Sequence, residues 1–258
     1  MSHKLLKIVI PTYNRPALIA NLLRALGSVV LDPRVEVVVV DDCSSEKSKL
    51  ALRDLEGLYS SVRFLFLEKN TGGAGARNAG ASEGNVKWIW FIDDDDMVSG
   101  DAVLSVLEEI ENISDVNRMV FLSANFIGKG FSRIVVPSGV NVFKRFARYG
   151  NEVNTSCTVF RYDLFKDVGG WDGRLVTGQD ADLLLRSAEL SDAHVLSNLH
   201  VDIIQHDEER ITTNPRKQMK GKVQFLFKHY RRLHPIRSLR YAVTFLIAYP
   251  YIRMVIGR

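Results

Sequence analysis

The sequence predicts an α/β fold in which a mostly parallel β-sheet is flanked by helices. Short runs of β-branched residues alternate with segments of helical spacing through the first 124 residues. The run at 35–40 contains five valines and one glutamate, which is typical of a strand buried on both faces. Because strands and helices alternate along the chain, a parallel, doubly wound sheet is the expected arrangement.

Each predicted element follows from a local pattern. The first helix, for example, has leucines at 18, 22, 23 and 26, which lie on one helical face. Short apolar runs predict strands at 7–10, 35–40, 62–67, 88–92, 119–124, 155–160 and 194–205. Helical spacing, or a run of small residues, predicts helices at 17–26, 47–58, 72–84, 101–113, 162–168 and 180–190.

The chain combines an acidic body with a basic tail. Residues 210–258 contain 12 Lys or Arg and no acidic residue, whereas the preceding residues contain 22 basic and 30 acidic side chains. We expect residues 1–209 to form one domain, with halves at 1–124 and 125–209. Residues 210–258 are predicted to form a basic, amphipathic helical tail.

Composition also indicates the cellular environment in which the protein is expected. The two cysteines, Cys43 and Cys157, cannot form a disulfide framework, so a reduced, cytoplasmic environment is expected. The apolar stretch at 5–10 runs directly into Pro11 and is too short for a secretory signal. No uncharged apolar run approaches the roughly 20 residues that span a bilayer.

Polar residues gather where the predicted strands end. The segments are 11–15 (PTYNR), 41–42 (DD), 70–78 (NTGGAGARN) and 93–96 (DDDD), each following one of the first four strands. In open parallel α/β sheets, ligands bind beyond the carboxyl ends of the strands. We therefore expect these four segments to meet at one rim of the sheet.

The four aspartates at 93–96 are the strongest single signal. Adjacent carboxylates repel one another, so burying them without a cation would be costly. In extended backbone, Asp93 and Asp95 would point to one side and Asp94 and Asp96 to the other. An Asp-x-Asp pair suits a hard divalent ion that also binds substrate phosphates. The alternative is a solvated acidic turn before the next helix, but the position directly after the buried run 88–92 favours a metal site.

Two further rim segments have both a structural and a binding interpretation. Asp42 either ends a strand and caps a helix or accepts hydrogen bonds from a nucleobase or ribose. The glycine-rich segment 72–78 lacks the spacing of a dinucleotide motif and the lysine of a P-loop. Close helix–sheet packing explains most of its small residues. Arg77 is the exception, and we expect it to reach a phosphate or the acidic cluster.

The ordered set of motifs resembles glycosyltransferase family 2, whose members have the GT-A fold. Each motif alone is weak, but together they cover about residues 5–190 in the family's order. The matching segments are 11–15 (PTYNR), 40–44 (VDDCS), 73–78 (GAGARN), 91–96 (FIDDDD), 168–172 (VGGWD) and 178–182 (GQDAD).

The resemblance implies an inverting transfer from a nucleotide-diphosphate sugar, with a UDP-sugar favoured, to a saccharide or lipid-linked acceptor in cell-surface polysaccharide synthesis. It implies that 1–124 binds the nucleotide sugar, that 125–209 binds the acceptor, and that Mg²⁺ or Mn²⁺ takes part. Asp180 would be the general base. The implied nucleotide-sugar residues are Pro11, Thr12, Tyr13, Arg15, Asp42, Gly73, Arg77, Asp93 and Asp94. The implied metal ligands are Asp93, Asp95 and His206, with Asp96 as an alternative to Asp95.

The acceptor side is less well defined. The family often has Glu-Asp where this chain has Gln179-Asp180, and a glutamine can hydrogen-bond an acceptor sugar but cannot act as a base. Asp182 is a rival base and acceptor contact, although it lies about 200° around the helix from Asp180. Compensation of the helix dipole is the alternative role for both aspartates. Trp171 is expected either to stack on an acceptor sugar or to pack in the core. Only the resemblance implies that His206 is a metal ligand. The alternative is that this histidine has a structural role or is simply exposed to solvent.

The basic tail is predicted to lie on an anionic membrane surface, at the inner face of the membrane. Its run at 241–252 is uncharged and is flanked by Arg240 and Arg253, which suits an interfacial helix. The alternative is a helix that packs on the body of the protein or on a second subunit in a homodimer. No nucleic-acid-reading motif accompanies the positive charge, so no nucleic-acid partner is expected.

Two other functions fit part of the pattern. A sugar-phosphate nucleotidyltransferase typically has a glycine-rich loop after its first strand, where this chain has 11–15 (PTYNR). A non-catalytic nucleotide-sugar-binding relative is favoured by Gln179 and disfavoured by the intact Asp93, Asp95 and Asp180.

Overall fold

The computed structural model of the protein describes residues 4–82, 84, 86–204 and 215–241. The strands are β1 (Lys4–Thr12), β2 (Val35–Asp41), β3 (Val62–Phe66), β4 (Val86–Phe91), β5 (Asp96–Met97), β6 (Met119–Gly128), β7 (Phe131–Val135), β8 (Thr158–Arg161) and β9 (Ala193–Ile204). The helices are α1 (Pro16–Leu26), α2 (Glu46–Leu58), α3 (Gly72–Ala81), α4 (Gly100–Asn112), α5 (Val142–Tyr149), α6 (Tyr162–Asp167), α7 (Gln179–Ala188) and α8 (Pro215–His229). Short 3₁₀ turns lie at Gly27–Leu31 and Thr155–Cys157, and residues 235–241 are helical.

The strands of the described residues form one mixed sheet in the order β3-β2-β1-β4-β8-β6-β9-β5, with β7 paired to β6. The first four strands of this order run parallel, as predicted. Beyond β4, the short strand β8 pairs antiparallel with both β4 and β6, and β6 pairs in parallel with β9. The predicted α/β fold is therefore confirmed, whereas a purely parallel sheet was wrong for the second half.

The change in topology has a local cause. A two-residue turn ending in Gly130, whose φ is +79°, returns the chain after β6 directly into the hairpin strand β7. No crossover helix follows β6, so the strand–helix alternation of the first half stops there. The parallel half places the ends of β1, β2 and β4 side by side, which is the arrangement that builds the site.

The middle of the sheet is buried on both faces. All four valines of 37–40 are at most 1% exposed, and Trp88 and Trp90 on β4 are fully buried. The Trp90 indole N–H donates to the backbone oxygen of Ser156 (2.8 Å), and the Ser156 hydroxyl accepts a hydrogen bond from the backbone N–H of Asp93 (3.0 Å). The acidic segment therefore begins from a rigid, well-packed strand end.

Helix α3 lies unusually close to the sheet because its residues are small. A Cβ atom at Gly80 would lie 2.5 Å from Val9 Cγ1 and 2.8 Å from Val40 Cγ2. Close helix–sheet packing through small residues is therefore confirmed for α3 at Gly80, two positions beyond the glycine-rich segment 72–78.

Gly80→Ala is expected to destabilise the protein by about 1–3 kcal/mol, because the added methyl group overpacks the contact with β1 and β2. The matched control is Gly57→Ala in α2, where a Cβ would meet no atom within 4 Å. That change should stabilise the helix by up to about 1 kcal/mol, because alanine has the higher helix propensity. Denaturant unfolding of both variants checks the prediction, and equal stabilities would contradict it.

Helix α8, which lies in the described part of the basic tail, packs on the body of the protein. Its Phe225 is 3% exposed, and Gly221 lies so close to Thr177 that a Cβ would come within 1.9 Å of the threonine hydroxyl. For α8, packing on the body is therefore what the structure shows, whereas the membrane contact of the tail stays a prediction. The run at 241–252 lies outside the described residues except for Tyr241. Among the described helices, none is both long and apolar enough to cross a membrane.

Candidate active site

The ends of β1, β2 and β4 and the start of α3 border one cleft of about 490 Å³. The nine residues that the sequence assigned to nucleotide-sugar binding all line it, together with Asp95. Asp96, the alternative metal ligand, also lines the cleft, and three further lining residues were not assigned a place there: Ala76, Asn154 and Ile203. The four predicted segments, which lie up to 85 positions apart in the chain, thus meet at this cleft, as the predicted rim requires.

The four aspartates do not alternate along an extended strand. The backbone N–H of Asp96 donates to the Asp93 carbonyl oxygen (3.1 Å), which closes a turn. As a result, Asp93, Asp95 and Asp96 present carboxylate oxygens within 4.8 Å of one another. The predicted separation of Asp96 from the pair Asp93 and Asp95 was wrong, because the backbone bends directly after β4.

Asp94 takes a different part in the cleft. One of its oxygens accepts a hydrogen bond from the Thr12 hydroxyl (2.7 Å), and the other accepts one from Arg15 Nη1 (3.0 Å). Burial raises the pKa of Asp94 to about 6, although these two hydrogen bonds oppose the rise. Asp94 therefore joins the loop after β1 to the acidic turn.

Two arginines partly compensate the negative charge of the acidic turn at 93–96. Arg77 pairs with Asp93, and Arg15 Nη1 lies 3.6 Å from an oxygen of Asp95. Five carboxylates line the described part of the cleft, those of 93–96 and of Asp42, against two guanidinium groups, so acidic side chains outnumber basic ones there. A cluster of carboxylate oxygens in such a cleft fits a hard divalent cation such as Mg²⁺ or Mn²⁺.

The position of Arg77 depends on Gly73 and Trp171. A Cβ at Gly73 would lie 2.9 Å from Arg77 Nη1, so the missing side chain makes room for the guanidinium. That guanidinium lies 4.7 Å from the centre of the Trp171 ring. The small residue and the aromatic face together hold Arg77 beside Asp93.

Asp42 ties β2 to the start of α3. Its Oδ1 accepts hydrogen bonds from the backbone N–H (2.7 Å) and hydroxyl (2.9 Å) of Thr71. Asn78 makes a comparable link that sequence reasoning missed: its amide exchanges two hydrogen bonds with the backbone of Trp171 (2.8 and 3.0 Å). Both links fix the loops that surround Arg77.

Trp171 itself belongs to the core. It is 4% exposed and meets Phe91 edge to face, with ring centres 5.3 Å apart. Of its two interpretations, core packing is the one that the structure shows. A ring buried to this extent offers no open face for a sugar to stack on.

Helix α7 separates the two aspartates that were rivals for the role of base. Gly178, with φ of +76°, forms the turn before the helix. Asp180 in the first turn is partly exposed, and Asn151 Nδ2 donates to it at 3.4 Å. Asp182 is fully buried. The Gln179 side-chain amide donates to the backbone oxygen of Leu175 (2.7 Å).

Asp182 is the centre of a buried ionic cluster that joins α7 to α8. Its Oδ1 lies 2.7 Å from His229 Nε2 and 2.6 Å from Lys228 Nζ, and Arg186 Nε donates to its Oδ2 (3.1 Å). Burial raises the pKa of Asp182, but the hydrogen bonds from these three residues outweigh it and lower the pKa to about 2. The carboxylate is inaccessible to an acceptor, which corrects the expected acceptor contact. His206 lies outside the described residues.

Comparison with known proteins decides the family. The sequence profile of the family described as Glycosyl transferase family 2 matches residues 7–168 of this chain. The chain belongs to this family. It is therefore a glycosyltransferase, and the matched region includes the acidic turn and every lining residue of the cleft except Ile203.

Curated relatives of this glycosyltransferase cover most of the chain. It is 25% identical over 256 residues to an uncharacterized glycosyltransferase of Haemophilus influenzae, an alignment that covers 96% of this chain and 85% of the relative. It is 28% identical over 209 residues to the amylovoran biosynthesis glycosyltransferase AmsB of Erwinia amylovora, covering 75% of this chain and 69% of the relative. The family therefore includes relatives in polysaccharide biosynthesis.

Solved structures confirm the GT-A fold of this glycosyltransferase. S. aureus TarS (residues 1–349) in complex with UDP-GlcNAc matches with a TM-score of 0.65 at 19% identity, over 86% of this chain and 66% of that one. The mannosyltransferase PcManGT from Pyrobaculum calidifontis, in complex with GDP-Man and Mn²⁺, matches with a TM-score of 0.63 at 17% identity, over 90% of this chain and 65% of that one. The chain thus spans about two thirds of the length of these structures.

Proposed function

We propose that this glycosyltransferase is an inverting, metal-dependent enzyme that uses a nucleotide-diphosphate sugar, with a UDP-sugar as the favoured donor. Its acceptor is a saccharide or a lipid-linked saccharide in cell-surface polysaccharide synthesis. The observation that carries the proposal is the cleft in which three clustered carboxylates, two arginines and Asp42 meet at the ends of parallel strands. AmsB, a relative, is named for amylovoran biosynthesis, which supports the polysaccharide context.

The donor would occupy the cleft along the strand ends. Both hydrogen bonds from Thr71 go to Asp42 Oδ1, so Oδ2 is left to accept from the nucleobase or ribose. Arg15 and Arg77 lie among the carboxylates, where guanidinium groups can bind diphosphate oxygens. Donor complexes of the two fold relatives, with UDP-GlcNAc and with GDP-Man, support a nucleotide-sugar in this position.

Asp93, Asp95 and Asp96 would hold Mg²⁺ or Mn²⁺, which when bound offsets the charge that develops on the departing diphosphate. PcManGT, whose structure contains Mn²⁺, supports this assignment. The turn at 93–96 places all three carboxylates on the cleft side, and Asp94 holds that turn against β1 through Thr12. Asp96 is therefore included as a ligand beside Asp95.

Asp180 would act as the general base. It takes the proton from an acceptor hydroxyl while that oxygen bonds to the anomeric carbon, and the bond from that carbon to the diphosphate breaks on the opposite face. This single displacement inverts the anomeric centre. The Asn151 side-chain amide donates a hydrogen bond to the Asp180 carboxylate, which supports its orientation towards an acceptor.

Release of nucleoside diphosphate from a panel of UDP-, GDP- and dTDP-sugars tests the proposal. Release that requires both Mn²⁺ and an added saccharide or lipid-linked acceptor is the expected result. Release of pyrophosphate from a nucleoside triphosphate and a sugar phosphate would instead identify a nucleotidyltransferase. Donor binding without any turnover would identify a non-catalytic relative.

Membrane contact is proposed only for residues 242–258, since α8 is docked on the enzyme. A truncation at residue 210 would remove Lys228 and His229 from the buried Asp182 and would disturb the fold. The better comparison is between the full chain and a chain ending at Tyr241. Co-sedimentation with anionic liposomes should decrease for the shorter chain, and equal binding would refute membrane contact by this segment.

A further inference from the structure

We propose that a cationic pocket beside α8 binds a phosphate or diphosphate group carried by the acceptor. The inference rests on the proposed function and specifies the chemistry of its acceptor. The pocket has a volume of about 280 Å³ and lies between the end of α5, helix α8 and the helical residues 235–241. Its lining residues are Tyr149, Gly150, Lys222, Arg237, Arg240 and Tyr241.

The charged side chains that line this pocket in the described residues are all cationic. Three of the lining side chains are cationic, and the described lining includes no acidic residue. Lys222 is exposed and makes no hydrogen bond or ion pair with any described residue. Its ammonium group is therefore available to a ligand in the pocket.

Arg237 supplies a fixed cation at the pocket wall. It is 8% exposed, and its Nη1 donates to the backbone oxygen of Phe146. The guanidinium also lies 5.2 Å from the centre of the Phe225 ring and 5.7 Å from that of Tyr241. Within the described part of the chain, no carboxylate pairs with it. A buried charge without a counter-ion is costly, so an anion in the pocket would be favourable.

The backbone leaves this cation accessible at Gly150. A Cβ there would lie 3.7 Å from Arg237 Nη2, and the residue has φ of +108°, which side-chain-bearing residues rarely adopt. The glycine therefore keeps the approach to the guanidinium open.

One short segment connects the pocket with the reaction site. Tyr149 and Gly150 line the pocket, Asn151 donates to the proposed base Asp180, and Asn154 lines the donor cleft. Residues 149–154 therefore run from the pocket past Asp180 to the donor cleft. A saccharide joined to a phosphate or diphosphate could place its anionic group in the pocket and its hydroxyl at the base.

Binding of inorganic pyrophosphate in the presence of EDTA, measured by isothermal titration calorimetry, tests the pocket directly. Lys222→Glu should weaken binding by at least about ten-fold, because it replaces a cation with an anion at the ligand. The matched control is Lys220→Glu, an exposed lysine on α8 that does not line the pocket. Equal affinities of wild type and Lys222→Glu, with both variants folded by thermal melting, would overturn the proposal.

Acceptor kinetics then distinguish the source of the phosphate. Lys222→Glu should raise KM for a saccharide on a lipid diphosphate and leave KM for the neutral saccharide unchanged. A matching rise for a water-soluble saccharide phosphate would show that the phosphate alone is recognised, whereas a rise confined to the lipid-borne acceptor would assign the pocket to a lipid diphosphate. An equal rise for the neutral saccharide would refute phosphate recognition. Pyrophosphate binding does not require sugar transfer, so failure of the proposed function would leave the calorimetric result interpretable.

Discussion

Asp180→Asn is expected to lower the rate of sugar transfer by about 10²–10⁴-fold, because an amide cannot take the proton from the acceptor hydroxyl. The side chain keeps its size, and Asn151 remains able to hydrogen-bond its oxygen. Donor affinity should be unchanged, since Asp180 does not line the donor cleft. Single-turnover rates with bound donor separate the loss of chemistry from any loss of binding.

The competing explanation for Asp180 is compensation of the α7 dipole. Asp101→Asn is the matched control, because Asp101 is an exposed acidic residue in the first turn of α4. Both substitutions should cost no more than about 1 kcal/mol of stability. If the two variants transferred sugar at the same rate, Asp180 would be a helix-terminal charge and not the base.

Asp182→Asn is expected to lower the free energy of unfolding by about 3 kcal/mol. Removing one partner of a buried ionic group typically costs about 3–5 kcal/mol, because the remaining charges lose their counter-ion. Lys228 keeps its ion pair with Asp172 (2.6 Å), and Lys228 and Arg186 are 24% and 13% exposed, which places the cost at the lower end of that range. Denaturant unfolding near neutral pH measures the difference.

The same substitution should change how stability depends on pH. Asp182 has a folded pKa of about 2, below its ordinary value of 3.8, so its contribution is complete above the unfolded pKa and is lost as pH falls towards 2. The stability advantage of wild type over Asp182→Asn should therefore shrink by about 2 kcal/mol between about pH 5 and pH 2.

A surface ion pair between the same two regions provides the control for Asp182. Glu189, just after α7, pairs with Arg232, just after α8, and the two side chains are 30% and 40% exposed. Glu189→Gln should cost less than about 1 kcal/mol. If Glu189→Gln and Asp182→Asn lowered the free energy of unfolding equally, burial of the Asp182 cluster would add nothing to its contribution to stability.

The donor side of the site could be predicted because it depends on local patterns. Each of the first four strands is a short apolar run, and parallel strands necessarily bring their carboxyl ends to one edge. Polar residues directly after those strands therefore had to meet. The small residues of α3 similarly predicted its close packing, which Gly80 confirms.

What the sequence could not predict depends on long-range contacts. The turn that brings Asp96 beside Asp93 leads directly into β5, which pairs with β9 more than 100 positions later in the chain. His229 and Lys228 reach Asp182 from a segment whose charge suggested a separate tail. Burial of Trp171 likewise depends on Phe91, 80 positions away. No local pattern contains these contacts.

The most direct test of the central claim is a calorimetric titration of UDP into the enzyme with Mn²⁺ and with EDTA. Wild type should bind UDP tightly only with Mn²⁺, because Asp93, Asp95 and Asp96 would join the diphosphate through the ion. Asp95→Asn should lose the Mn²⁺-dependent part of the affinity while keeping the fold. The same affinity for UDP in Mn²⁺ and in EDTA, in both proteins, would contradict a metal-dependent donor site at the acidic turn.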